Sequence, residues 1–446
     1  MIWRCSLLAV ACSLVAGVAT AGETPDPRWP LNLPVLDYPF NRDSATAFPS
    51  MQQSLALTVG FYELTHVGLQ QAVAAHPRLA PWSLAAWDII ANWLPLGNSW
   101  LHEEWHRAAM GVRGIDSHNG IYDFEFSNVI KVTEVGDGEL SGLKLHHPAD
   151  QVRLSAAGIE SQYELNLAVE RSAFFHDSPA WTLPLLWLNV LNAIGYLHVC
   201  ATSEADSLTE RIVNEEGVDT AARDFTGLDC NAWVYDLFRP DEPYAARGAH
   251  PSGVGIDRYR DRHDLSERER SYLLRQRNLS LLNLIDPFLF ARDRFVWTPR
   301  QGVEQWQWNA NLRHHLAPFG YDIAANVFLR RGETRVLTTL HSYVNDRYWA
   351  PGLDIRWDRL RGALRRDARL SARLALWQQP KDLRFDSGTW QAGGLGNLSM
   401  EFGSATARPF IELEYKTAGW VAGNEYLDAQ ASVRVGIVLW LGARAP

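Results

Sequence analysis

The sequence predicts an α+β chain in which an N-terminal helical domain is followed by a C-terminal antiparallel β-barrel of about eight strands. Three observations carry this. At 446 residues the chain is too long for one ordinary core, so two units are expected, each large enough to bury an interior. Between residues 51 and 298 apolar side chains recur at helical spacing. From Val303 the period changes to two: in "VEQWQWNANLRHHL" Trp306, Trp308, Ala310, Leu312 and Leu316 are apolar, whereas Gln305, Gln307, Asn309, Asn311 and Arg313 are polar.

Taken in order, residues 1–21 read as an export signal, with Arg4 ahead of the apolar "SLLAVACSLVAGV" and Ala19-Thr20-Ala21 before a cut at Gly22. The mature chain is therefore expected in the cell envelope of a bacterium, in the outer membrane or the periplasm. Residues 22–50 form a proline-rich lead, "TPDPRWPLNLPVLDYPF", which cannot start a helix and is expected to lie extended on the surface. A helical domain over 51–298 follows, with helices expected over 51–75, 81–110, 148–175, 181–199, 208–214, 227–238 and 266–290. The last has the clearest start, since Ser266 stands as N-cap with Glu267 and Glu269 in the first turn. "WTLPLLWLNVLNAIGYL" is apolar for nearly a membrane-spanning length, but Pro184, Asn189 and Asn192 interrupt it, which fits a buried or membrane-facing helix.

The alternation returns through the final unit, 299–446. "YDIAANVFL", "LDIRWD", "RLSARLALW", "FIELEY" and "SVRVGIVLWLG" each set aliphatic or aromatic residues against Asp, Asn, Arg, Ser or Glu, with "APFG", "RRGE" and "APG" as turns between such runs. One face is apolar and the other is polar. In a soluble barrel or sandwich the apolar face would be core; in a transmembrane barrel it faces lipid and the polar face lines the lumen. Over residues 303–442 the pattern resembles the small bacterial outer-membrane barrels, and that resemblance implies the outer membrane as a partner. The terminal "WLGARAP" departs from their usual final aromatic residue.

A formal net charge of -9 provides no basic field, which argues against nucleic acid as a partner. The 19 tryptophans suit cores, carbohydrate grooves and membrane interfaces. Cys5 and Cys12 leave with the signal, so in an oxidising compartment Cys200 and Cys230 are expected to form a disulfide. Neither their number nor their spacing suggests a cysteine-ligated zinc.

The chemistry is concentrated in "SWLHEEWHRAAMGVRG". On a helix His102 and His106 share one face, close enough to hold one ion, with Glu103 beside them in the position of a general base. Their neighbours Trp100, Leu101, Trp105, Ala108 and Ala109 are not those of a wet surface, so these polar groups need a partner. This motif resembles the zincin metallopeptidases. The resemblance implies Zn²⁺ held by His102 and His106, Glu103 acting on the water that the metal acidifies, and a third protein ligand further along. In gluzincin-like fashion that ligand is expected to be Glu160, in "AAGIESQYELNLAVE", with Glu164 supporting it one turn on. Asp229 in "GLDC" is the alternative, through a weaker similarity to the site-2 intramembrane proteases, from whose Leu-Asp-Gly this chain departs at Cys230. His118 reads as a turn residue, and His146, His147 and Tyr163 are weak candidates for an oxyanion donor.

The expected function is an exported zinc-dependent hydrolase, most simply a peptidase acting on a peptide or protein substrate. The alternative is a non-enzymatic outer-membrane or envelope structural protein with a structural or vestigial metal site.

Overall fold

The proline-rich lead does more than lie on the surface. Trp29–Pro39 form strand β1, antiparallel to the last strand of the chain with Leu31 opposite Leu439 and Tyr38 opposite Val433. Three prolines are tolerated there because β1 is an edge strand whose outer side needs no donors, and the register slips between Pro34 and Leu36. The computed structural model describes residues 29–40, 48–123, 130–176, 178, 183–298, 305–361, 368–403 and 406–441. The expected export signal at 1–21 lies outside them.

Helix α1, Met51–Ala72, starts at a reciprocal cap: Gln53 N–H donates to Ser50 Oγ at 3.1 Å, and Ser50 N–H donates to Gln53 Oε1 at 3.0 Å. The single helix expected over 81–110 is two, α2 at Ala80–Ala91 and α3 at Asn98–Gly111. Between them Leu96 takes a positive φ of 69° and Gly97 presses on the Ala91 carbonyl so closely that a Cβ would collide with it. This break re-aims the chain before the histidines. α4, Asp137–His146, falls where no helix was expected. Then come α5 at Pro148–His176, α6 at Leu183–Cys200, α7 at Glu204–Glu215, α8 at Asp229–Phe238 and α9 at Glu267–Leu279. The expected capping of α9 by Ser266 is present, but the helix stops at Leu279 and continues as 3₁₀ turns up to Phe290, with Pro287 opening the last.

A small pair, β2 at His118–Asn119 and β3 at Val132–Thr133, precedes the main sheet. That sheet comprises β1, β4 at Phe295–Trp297, β5 at Trp306–Ala317, β6 at Gly320–Arg331, β7 at Thr334–Val344, β8 at Trp349–Arg361, β9 at Arg369–Pro380, β10 at Trp390–Glu401, β11 at Ala407–Lys416 and β12 at Gln430–Leu441. The strands are all antiparallel and ordered β1-β12-β11-β10-β9-β8-β7-β6-β5-β4. The meander of long hairpins from β5 to β12 is as expected. Closure is not: among the described residues β1 and β4 are free edges, so the expected barrel is corrected to an open sheet. Alternation encodes which face a residue takes, but closure depends on strand tilt and stagger, which a period of two does not carry.

The sheet is packed inside out relative to a soluble sandwich. Asn309, Asn311, Arg313 and His315 on β5 are buried, while Leu340, Leu376 and Leu413 on the other face are 54%, 55% and 52% exposed. The buried polar face meets α5, a helix enclosed along most of its 29 residues. Polar contacts tie the two: Arg313 forms ion pairs with Glu170 of α5 and with Asp286, and His176 at the end of α5 meets Asp358 of β8 at 2.7 Å. Phe174 of α5 and Phe328 of β6 share one apolar cluster with α1, α3 and α6. Among the described residues α6 is the one helix long and apolar enough to cross a membrane, and Leu185, Leu186, Val190 and Leu197 turn its inner face into the core. Cys200, at its end, and Cys230 are buried free thiols, so the expected disulfide is not formed.

Candidate metal centre

The break at Gly97 lets α3 run against the middle of α5, and the contact is close because α5 presents Gly158 there. A Cβ at position 158 would fall on Nε2 of both His102 and His106. The two imidazoles, with ring centroids 4.9 Å apart, therefore rest their Nε2 atoms in a cradle that exists because Gly158 has no side chain.

The His106 tautomer is set from behind. His106 Nδ1–H donates to the Leu154 carbonyl at 2.7 Å, which leaves the lone pair on Nε2. His102 Nδ1 meets the Gln162 amide at 3.4 Å. The Gln162 atom that faces this nitrogen is the donor Nε2, and its Oε1 is buried without a hydrogen-bond partner. Buried His106 Nε2 has no hydrogen-bond partner of its own.

The third group to arrive is Asp229, in the first turn of α8. Its Oδ2 lies 3.1 Å from His102 Nε2 and 3.3 Å from His106 Nε2, and its backbone N–H donates to the Tyr196 hydroxyl at 3.0 Å. Neighbouring donors about 2.0–2.1 Å from a tetrahedral zinc stand about 3.3 Å apart, so these His–Asp contacts are compatible with a shared ion. Burial opposes a charged Asp229, but His106 and His102 outweigh it and hold the carboxyl well below the usual range. Burial likewise works against a cationic His106, and Asp229 reverses this, raising it above an ordinary imidazole. For His102 burial wins, and its pKa is lowered.

Glu103 joins the histidines in one group of potential ligand atoms, all within 4.8 Å of one another. It is only 9% exposed, and among the described residues it has no hydrogen-bond or ion-pair partner. Burial, then the neighbouring Asp229, Asp224 and Glu104, push its pKa well above the ordinary value. Glu104 is different. Its carboxylate accepts from Arg107 Nη1 at 2.7 Å and Asn119 Nδ2 at 2.9 Å, so it anchors the helix and takes no part in the cluster.

The structure thus brings together His102, Glu103, His106 and Asp229, and it does not bring Glu160. Two residues past Gly158, Glu160 projects from another face of α5. There it is bidentate to Arg153 at 2.8 Å and 2.8 Å and also accepts from Gly423 N–H at 2.8 Å and Trp420 Nε1 at 3.2 Å. Both oxygens are used, so Glu160, expected as third ligand, is held away from the histidines, and Asp229, the alternative, is the carboxylate that lies beside them. Glu164, expected to support it, lines a small cavity against the sheet. His118 pairs with Asp123 at 2.9 Å. His147 approaches Asp150, and Tyr163 packs on His315, both outside the cluster.

No family model, no curated protein and no solved structure matches the chain. The reading of the centre therefore rests on its geometry. Sequence reasoning missed Gly158, Gln162, Tyr196 and Asp224, the last of which accepts from the backbone of Val132, Phe225 and Gly227 beside the site. Small residues at 155–158, "SAAG", were the available signal that another helix approaches closely here.

The donor set fits a metal ion. Two imidazole lone pairs and one carboxylate oxygen converge on the Gly158 cradle, with buried His106 Nε2 left for a ligand.

Proposed function

We propose that this protein is a zinc-dependent hydrolase of the bacterial envelope, a peptidase by preference, in which His102, His106 and Asp229 hold the ion and Glu103 is the general base. The observation that carries this is the convergence of three donors on the Gly158 cradle beside a nearly buried carboxylate that nothing else engages. Bound there, zinc supplies a Lewis acid and an acidified water. Glu103 takes a proton from the attacking water and returns it to the leaving amine, a role that suits a carboxyl whose proton affinity burial has raised. Leu154 keeps His106 in the ligating tautomer, and Tyr196 positions the start of α8.

Support for an outer-membrane setting comes from the inverted sheet, whose apolar side chains face outward. Exposed aromatics also gather at both ends of its strands. Trp297 and Trp308 stand at one end, with Trp349 and Tyr415 at the other, as in the belts that mark the two interfaces of a membrane.

The test pairs zinc content with hydrolysis of a peptide library. Glu103→Gln is expected to keep its zinc while hydrolysis falls by about 10²–10⁴-fold. Unchanged hydrolysis in that variant, or wild type that binds zinc but cleaves nothing, would leave a structural metal site.

A further inference from the structure

A polar cavity of about 280 Å³ lies between α1, α5, β1 and the inner face of β8–β12 and shares no lining residue with the metal centre. Asn32 at its wall is exposed, so it is reachable from outside.

Most charges on its walls are answered within the protein. Arg359 pairs with Glu401 at 2.6 Å, Arg373 donates twice to Asp354 at 2.8 Å and 2.6 Å, and Arg434 pairs with Glu412 and with Asp37. Arg171 of α5 is the exception. Its Nε is sealed from solvent without a hydrogen-bond partner, and among the described residues no ion pair or hydrogen bond engages its terminal nitrogens. After burial, its strongest electrostatic interactions are with Arg356, Asp358, Arg359 and Arg373, three guanidinium groups and one carboxylate, and that carboxylate already serves His176 and Arg359. Burial and then Arg356 draw Arg171 down to about 10, still cationic at neutral pH. Arg356 also keeps an unpartnered Nε. A cation enclosed among like charges calls for a counter-ion.

The opposite wall has another character. Among the described residues Glu414 accepts hydrogen bonds from the amides of Asn397 and Asn424, and Ser371 and Ser399, opposite each other on β9 and β10, also line the cavity. Those groups match hydroxyls and would repel a second negative charge. The ligand therefore has one anionic end and a hydroxylated body, and the volume suits a monosaccharide phosphate better than a bare ion.

We propose that this cavity binds a phosphorylated sugar, free or as the headgroup of an envelope glycolipid, with the phosphate on Arg171 and Arg356 and the hydroxyls on Ser371, Ser399 and Glu414. Calorimetric titration of the full chain with glucose 6-phosphate, glucose, phosphatidylcholine vesicles, and the same vesicles doped with lipid A tests this. Saturable binding of glucose 6-phosphate or of the lipid A vesicles, above their unphosphorylated controls, is expected. Binding only the former indicates a free sugar phosphate, and binding only the latter a lipid headgroup. Arg171→Met is expected to weaken binding at least about tenfold, to leave zinc content unchanged, and not to lower the melting temperature of the unliganded protein, since it removes an unanswered charge. Arg171→Lys is expected to retain part of the affinity. The proposal is overturned by no saturable binding to either phosphorylated probe, by equal binding in Arg171→Met, or by a lower melting temperature for that variant without ligand.

Discussion

Two carboxylates meet helix α5 within a few residues of each other, and only one has anything left to bind with. Glu160 is enclosed by Arg153, Gly423 and Trp420, which use all its acceptor capacity. Asp229 arrives from α8 at the Gly158 face and meets two imidazoles whose second nitrogens are already committed elsewhere. Both are buried and both face cations or potential cations. What distinguishes a ligand from a structural acid is the remaining lone pairs and where they converge, not burial or charge.

The comparison can be broken first at Glu160. Glu160→Ala strands the Arg153 guanidinium, which is fully buried, and is expected to destabilise the protein by about 3–5 kcal/mol while zinc affinity stays near that of wild type. Denaturation with and without zinc separates the two effects, and loss of zinc at retained stability would return Glu160 to the metal centre.

A second test uses a histidine–aspartate pair that is not a metal site. His176, at the end of α5, contacts Asp358 at 2.7 Å, but Arg359 also reaches its Nε2 at 2.7 Å, so the lone pair is already engaged. Burial first, opposed by Asp358 and reinforced by Arg359, lowers His176 to about 4. The folded state thus binds this proton less tightly than the unfolded state, with its ordinary 6.5. The contribution is complete above pH 6.5 and is lost as pH falls from there to about 4, by about 3 kcal/mol in all. Wild type measured beside His176→Gln should show a stability gap that shifts against wild type by that amount over this window; a gap independent of pH would contradict the assignment.

The smallest expected cost in stability, with the largest local consequence, is at Gly158. Gly158→Ala places a methyl against both imidazoles, at about 1–3 kcal/mol of overpacking, and should abolish zinc binding although no ligand has changed. Zinc titration of the folded variant is the check.

How much of this was readable beforehand follows from the range of each signal. The Ser266 cap and the pairing of His102, Glu103 and His106 depend on residues three or four apart, and helical geometry alone brings them together. The alternation from Trp306 onward likewise gave the strands and their two faces. Which acid meets the histidines did not follow, because 127 positions separate His102 from Asp229, and its arrival depends on how α8 packs. Nor did closure of the sheet, which depends on stagger between strands. Cys200 and Cys230 do come together, close enough for one to shift the other, but as buried thiols and not as the expected disulfide.

The central claim is that His102, His106 and Asp229 hold one ion against Gly158. Anomalous diffraction at the zinc edge from crystals grown with zinc tests it most directly. One strong peak is expected within about 2.0–2.2 Å of both Nε2 atoms and an Asp229 oxygen. No peak there, or a peak at the Glu160 carboxylate, would contradict it.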